Sequence, residues 1–246
     1  MISLLSCGFF SYAKNSLREN QDAILLPQLI SDGYLFAIAD GVGSYTGSQY
    51  ASRVAIKELI NNINYNTIND ISEIFDSIKV SVSELSQKNS DFFNAATTLT
   101  FCYVNCNGVH IGHVGDCRLY LIEEGKLKKI TKDHTQYQKL IDQKIYGRHE
   151  LKSLSFKNTL TSAIAKNIEM ECQNIFIPFS EIKTSNDELS IVVMSDGAYH
   201  FWDKRPRFSF NTINNPMRFA SSLYKRIEKN TPIDDHSLIV VKFLIS

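Results

Sequence analysis

The sequence predicts an α+β fold of two stacked, mainly antiparallel sheets flanked by helices, held in one domain over residues 1–246. Short β-runs bounded by Gly, Asn and Asp dominate the chain. Several of them follow one another with no helix between, whereas a parallel crossover requires one. A few well-marked helices separate the remaining runs.

Taken in order, the strands fall at Leu4 to Tyr12, Ala23 to Leu29, Tyr34 to Ala39, Thr98 to Cys106, Val109 to Val114, Arg118 to Glu123, Cys172 to Ile177, Leu189 to Met194 and Ser237 to Leu244. Asn107-Gly108 is a strong hairpin signal and Glu124-Gly125 makes the next turn, so the central runs form an antiparallel meander. The clearest helix starts at Asp70, with Glu73 completing a capping box, and Ile71, Ile74, Phe75, Ile78, Val82 and Leu85 fall on one face. Two more helices cover Gly47 to Asn61 and Pro216 to Lys229, the latter capped by Asn215. Trp202 caps a short helix, where an exposed aromatic could touch a substrate peptide.

With 43% hydrophobic residues, 11 Gly and 5 Pro, the chain has matter for a substantial core and none of the bias of a disordered or fibrous protein. Lys plus Arg balance Asp plus Glu at 26 each, so no overall field attracts nucleic acid or a membrane, and neither is expected as a partner. Lys126, Lys128, Lys129 and Lys132 read as a solvated hairpin. The cysteines, Cys7, Cys102, Cys106, Cys117 and Cys172, form no C-x-x-C pair and read as core thiols in a reducing compartment. No apolar run approaches the roughly 18 residues of a membrane span, and Ile2 to Phe10 lacks the basic opening of a signal peptide. The expected compartment is the cytoplasm.

Acidic residues recur where β-runs meet loops: Asn20-Gln21-Asp22, Ala39-Asp40-Gly41-Val42-Gly43, Val114-Gly115-Asp116, Met194-Ser195-Asp196-Gly197 and Asp234-Asp235. A carboxylate just off an apolar strand is held on a rigid element, and a following Gly lets the chain turn sharply and approach a bound ion. A single Asp-Gly is ordinary turn chemistry. Carboxylates at two strand ends, Asp40 and Asp196, repel unless a cation sits between them. Hard divalent cations choose oxygen ligands, so four or five converging aspartates suggest a two-metal centre.

The motifs Arg18-Glu19-Asn20-Gln21-Asp22-Ala23, Phe36-Ala37-Ile38-Ala39-Asp40-Gly41-Val42-Gly43, Ala96-Thr97-Thr98-Leu99, His113-Val114-Gly115-Asp116-Cys117-Arg118, Ile130-Thr131-Lys132-Asp133-His134-Thr135, Val193-Met194-Ser195-Asp196-Gly197 and Asp234-Asp235-His236-Ser237 resemble, in order and spacing, the bacterial type 2C metal-dependent serine/threonine protein phosphatases. The resemblance runs from about residue 8 to the C-terminus and is poor only over Tyr137 to Glu188. It implies a four-layer α-β-β-α sandwich that hydrolyses phosphoserine and phosphothreonine by in-line attack of a water or hydroxide bridging two divalent metals, Mn2+ or Mg2+. In that reading Asp40 bridges both metals, the Gly41 carbonyl binds the second, Asp196 and Asp234 hold the first, Asp22 orients the water, and Asp116 helps bind a third, weaker ion. The implied substrate is a phosphorylated protein, the target of a serine/threonine kinase, and the chain is expected to act as a monomer. Tyr137 to about Lys166 occupies the place of the family's flap, a position from which it would set substrate choice.

Three departures stand out. Gln21 replaces a glutamate that in many members reaches the second metal, and an amide adds no charge. Leu17 occupies the usual place of the phosphate-binding arginine, so Arg18, one residue later, is the candidate; Lys14 lacks the bidentate fork. Val42 replaces a histidine of animal members, leaving the general acid unassigned, while His113, His134 and His236 read as structural hydrogen-bonders. A second reading is therefore a phosphatase-like regulatory or binding module without turnover. Against it stands the retention of Asp22, Asp40, Asp196 and Asp234 together, since clustered carboxylates destabilise a fold that lacks their metal.

Overall fold

The computed structural model describes residues 2–43, 45–63, 67–144, 159–184 and 186–245. All the expected strands are present, as β1 (Ile2–Tyr12), β2 (Ala23–Ile30), β3 (Gly33–Ala39), β5 (Leu99–Asn105), β6 (Gly108–Val114), β7 (Arg118–Glu123), β10 (Gln173–Pro178), β11 (Glu188–Met194) and β12 (His236–Ile245). Three short strands join them: β4 (Ala96–Thr97), β8 (Lys126–Lys129) and β9 (Ile164–Ala165). One sheet runs β1-β12-β11-β7-β8, the other β10-β6-β5-β3-β2, and β4 pairs with β9 in a small ribbon. Every one of these pairings is antiparallel.

The helices are α1 (Ser48–Asn62), α2 (Ile71–Ser83), α3 (Leu85–Lys88), α4 (Gln136–Asp142), α5 (Asp196–Lys204), α6 (Phe210–Ile213) and α7 (Pro216–Lys229). Alternation along single strands sorts the core into three slabs, which is what four layers require. On β3, Leu35 and Ala37 pack with Ile71, Ile74 and Phe75 of α2. Their neighbours Phe36 and Ile38 face the other way, meeting Ile191, Val193, Ile239 and Phe243 of the second sheet. On β11, Val192 and Met194 turn outward again to Phe201, Trp202, Phe219 and Leu223 of α5 and α7. Because β5 and β6 are covered on both faces, all their residues are buried, so they read as continuous apolar runs rather than alternating ones.

Local chemistry explains the boundaries. Asp70 caps α2 by accepting from Glu73 N at 3.3 Å, but its own amide donates to the Thr67 carbonyl at 2.9 Å, so Glu73 does not close the box. Asn215 caps α7 through Arg218 N at 2.9 Å. The β5–β6 hairpin turns on Cys106-Asn107, one residue earlier than expected, and Gly108 opens β6 at φ 150°. Glu124 and Gly125 take φ 52° and 72°, the left-handed pair of a tight β-turn. Trp202 corrects its expectation: it lies inside α5, only 4% exposed, against Phe208 and Phe219. Of the thiols, Cys102 and Cys117 are core residues, whereas Cys106 is exposed in its turn. Much of the stretch assigned to a flap, residues 145–158, lies outside the described residues. Among the described residues no helix is long and apolar enough to cross a membrane.

Candidate active site

Strands of both sheets end at one edge of the sandwich, and the aspartates stand there. Asp40 follows β3, Asp116 lies between β6 and β7, Asp196 opens α5 directly after β11, and Asp22 and Asp234 come just before β2 and β12. A cavity of about 360 Å3 is lined by Asp40, Gly41, Asp116, Asp196 and Asp234, with Leu160 and Ile168 on its wall. Asp22 joins from below: it is 7% exposed, and Ser237 Oγ donates to its Oδ2 at 2.6 Å. Its other oxygen, Oδ1, is buried without a hydrogen-bond partner.

The backbone around Asp40 is clamped. Its amide donates to Thr98 Oγ1 at 3.1 Å, and its carbonyl accepts from Thr98 N at 2.8 Å and Thr97 Oγ1 at 3.0 Å. The glycines after Asp40 and Asp196 do not serve as sharp turns, since neither has a positive φ. They permit close approach instead: a Cβ on Gly41 would stand 2.7 Å from the Ser48 carbonyl oxygen, and one on Gly197 2.0 Å from that of Asp235.

Arg18 reaches the same edge. Its Nη2 donates to Gln21 Oε1 at 3.0 Å, lies 3.4 Å from Asp234 Oδ1, and pairs with Asp235 Oδ2 at 2.7 Å. Leu17 meanwhile points into solvent, 94% exposed. Asp235, which sequence reasoning left without a role, organises this loop: its carboxylate also accepts from Lys14 N at 2.7 Å and Gln21 N at 2.8 Å. Ser237 was likewise missed. Both lie inside a quoted motif, yet nothing in spacing distinguishes them from their neighbours.

Burial and mutual repulsion raise the carboxyls together. Removal from water pushes Asp40 well up, and the charges of Asp22, Asp196, Asp116 and Asp234 add to it. Burial lifts Asp22 to about 7 against the opposing Ser237 hydrogen bond, with Asp196 adding repulsion. Burial and Asp234 bring Asp196 to about 6, moderated by hydrogen bonds from Gly197 and Asp40. Burial, Asp196 and Asp133 raise Asp116, with Arg118 opposing. Such a set is unfavourable by itself and becomes favourable around cations. Its donors are all oxygen, and Asp22 Oδ1 is an acceptor still to be used; this fits hard divalent ions. Among the described residues no three Asp, Glu, His or Cys side chains already form a cage, so an ion held here would need further oxygen donors, water among them.

The family model of Protein phosphatase 2C matches residues 13–238. The chain belongs to that family. This type 2C phosphatase is 25% identical over 239 residues to a Mycoplasma genitalium protein described as a candidate protein phosphatase, covering 91% of the chain and 90% of that relative. It is 31% identical over 113 residues to the serine/threonine protein phosphatase PstP of Mycobacterium tuberculosis, covering 44% of the chain and 22% of PstP. The crystal structure of M. tuberculosis PstP/Ppp aligns with a TM-score of 0.78 at 20% identity, covering 99% of the chain and 100% of that structure. The PstP catalytic domain in complex with two manganese ions gives 0.74 at 19% identity, covering 99% and 100%. At such identities the structures show the fold. As a type 2C phosphatase the chain is a divalent-metal-dependent phosphoprotein hydrolase.

The histidines of the motifs are occupied structurally. His113 Nδ1 lies 2.7 Å from Thr100 Oγ1 and its Nε2 3.1 Å from the Lys132 carbonyl. His134 Nδ1 accepts from Gly115 N at 3.0 Å. His236 packs against Phe10, Tyr12 and Tyr224.

Proposed function

We propose that the phosphatase hydrolyses phosphoserine and phosphothreonine in protein substrates at a centre of two divalent cations, Mn2+ or Mg2+, with a third, weaker ion at Asp116. The observation that carries this reading is the convergence of Asp40, Asp116, Asp196 and Asp234 on one cavity, with Asp22 electrostatically coupled to them. When bound, the cations polarise the phosphoryl oxygens and lower the pKa of water enough for attack near neutral pH. Asp40, clamped through its backbone, would offer its oxygens to both ions, and the carbonyl of Gly41 would bind the second. Asp196 and Asp234 hold the first. Asp22, with Ser237 fixing one oxygen, would accept a hydrogen bond from the water through Oδ1 and so orient it. Arg18 binds phosphoryl oxygens from the rim, its fork steadied by Asp235.

Residues 1–246 act in this reading as one catalytic domain, a monomer in the cytoplasm, on proteins phosphorylated by a serine/threonine kinase. The segment from Tyr137 to about Lys166 shapes substrate choice, a role supported by Thr159, Leu160 and Ala163 at the cavity wall. The test is phosphate release from a phosphothreonine peptide and from p-nitrophenyl phosphate with Mn2+, Mg2+ or chelator, comparing wild type with Asp40→Asn and Asp196→Asn. Metal-dependent release lost in both variants is expected. No release under any metal, with calorimetry still showing metal binding, would replace the enzyme by a regulatory module.

A further inference from the structure

Arg118 begins β7, where it pairs with Met194, the last residue of β11. Its guanidinium joins three chain segments. Nε and Nη2 form a fork on Asp133, with Nη2 2.7 Å from Oδ2 and Nε 3.1 Å from Oδ1. Nη1 donates to Asp203 Oδ2 at 2.7 Å, and the guanidinium carbon lies 3.6 Å from the centre of the Tyr199 ring. Asp133 is further held by Lys129 Nζ at 2.8 Å.

These partners bear directly on the carboxylates. Asp196, Tyr199 and Asp203 sit at i, i+3 and i+7 of α5, on one face of the helix. The stretch after Asp133 is tied to the Asp116 turn: His134 N donates to the Gly115 carbonyl at 2.7 Å, and Gly115 N donates back to His134 Nδ1. Arg118 therefore spans the Asp116 turn and the helix face that carries Asp196, and Asp116, Arg118, Asp133, Asp196, Tyr199 and Asp203 line one cavity of about 470 Å3 beside the candidate centre. At its start α5 is tied to β12 through its N-cap, Ser195 N donating to the Ser237 carbonyl at 3.0 Å and Ser237 N to Ser195 Oγ at 2.9 Å. The Arg118 strap ties the polar face of its far end, opposite the face that packs Phe201 and Trp202 into the core.

We infer that Arg118 is a positioning residue for the phosphatase reaction: its planar fork sets the rotation of α5, and with it the direction of Asp196 relative to Asp116. The inference rests on the proposed function. Lysine keeps the charge but has no fork to hold Asp133 and Asp203 at once. Groups that orient metal ligands are commonly worth 10–100-fold in metal affinity or activity.

The experiment compares wild type, Arg118→Lys and Asp203→Ala by Mn2+ calorimetry, steady-state kinetics on p-nitrophenyl phosphate and thermal melting. Asp203 is on the exposed last turn of α5, where alanine preserves the helix, so this variant tests the strap even if Arg118→Lys folds poorly. In Arg118→Lys, kcat should fall about 10–100-fold and Mn2+ affinity about tenfold with KM within about threefold; Asp203→Ala should lose about 3–10-fold in kcat. Lowered melting temperatures with kcat and Mn2+ affinity within about twofold of wild type would make the strap purely structural and overturn the inference. A wild type that neither binds Mn2+ nor releases phosphate would instead remove the proposed function.

Discussion

His113 makes the fold acid-labile in a way that can be isolated. It is fully buried on β6, and burial, with the neighbouring His134 acting in the same sense, pushes its pKa down to about 3 despite the opposing charge of Asp133. Its Nε2–H can only donate to the Lys132 carbonyl, so Nδ1 is the acceptor of the Thr100 hydroxyl, and a second proton would force that hydroxyl to turn its own proton to the Cys117 carbonyl, 3.4 Å away. Above the ordinary histidine pKa, near 6.5, the ring is neutral in folded and unfolded chains alike and its stabilisation is intact. As pH falls below that value the unfolded chain takes up a proton that the folded one refuses, so stability drops until pH reaches about 3. At pH 5 the loss from this one group is about 2 kcal/mol.

The perturbation is His113→Gln, whose amide N–H can still reach the Lys132 carbonyl while carrying no titrating group. Urea unfolding with chelator, at pH 7 and pH 5, removes metal linkage and lets the carboxyl cluster and the other histidines cancel between the two proteins. Wild type should lose about 2 kcal/mol more than the variant between those pH values. Losses equal to within about 0.5 kcal/mol would refute the reasoning, whatever the variant costs at pH 7.

The remaining outcomes concern the site. In Gly197→Ala the new Cβ meets the Asp235 carbonyl oxygen at 2.0 Å; backbone must move, so urea unfolding should show a cost of about 1–3 kcal/mol and phosphate release should fall further than stability alone explains. Arg18→Ala should lower kcat/KM on a phosphopeptide by about 10–100-fold, the worth of a charged hydrogen-bonding pair, whereas Leu17→Ala, altering an exposed side chain, should stay within about twofold. Mn2+ at a hundred times its Kd should stabilise the wild type by about 2.7 kcal/mol in thermal melts, reversed by chelator. With chelator present, Asp40→Asn should melt at or above wild type because one repelling carboxylate is gone; a clearly lower melting temperature would contradict the coupling seen in the cluster.

What was legible in the sequence follows from how each element is held. Strands such as β5 and β11 are continuous apolar runs cut by Gly, Asn or Asp, and α2 and α7 carry their own caps, so local chemistry marks them. The two-residue strands β4 and β9 have no periodicity to read and exist only because they pair with each other. Strand β8 is Lys126-Leu127-Lys128-Lys129, whose exposed lysines are typical of a protected sheet edge and read equally well as a solvated turn. The start of helix α5 was hidden because Asp196-Gly197 has the composition of a turn; only the contact with Asp235 shows why glycine is there. The aspartates brought together at the cavity were all visible as motif residues. Asp235 and Arg118 also stand in those motifs, but their roles were not legible, since their partners lie far away in sequence: Asp235 reaches back to Arg18, and Arg118 forward to Asp203.

The carboxylates converge from positions 22, 40, 116, 196 and 234, and the strands that carry them belong to opposite sheets. No fragment of the chain holds the set: the β2–β3 hairpin brings Asp22 beside Asp40, one step past the Ala23–Ala39 pair, but the other three arrive from distant parts of the sequence. Closing these long loops costs chain entropy before any compensating contact forms, and the charges then repel as they meet. The complete set therefore exists only where the two sheets are docked in register. A divalent ion that binds this set stabilises the docked arrangement by mass action, so the ion that equips the phosphatase for chemistry also biases the chain towards the one arrangement of its two sheets in which the site exists.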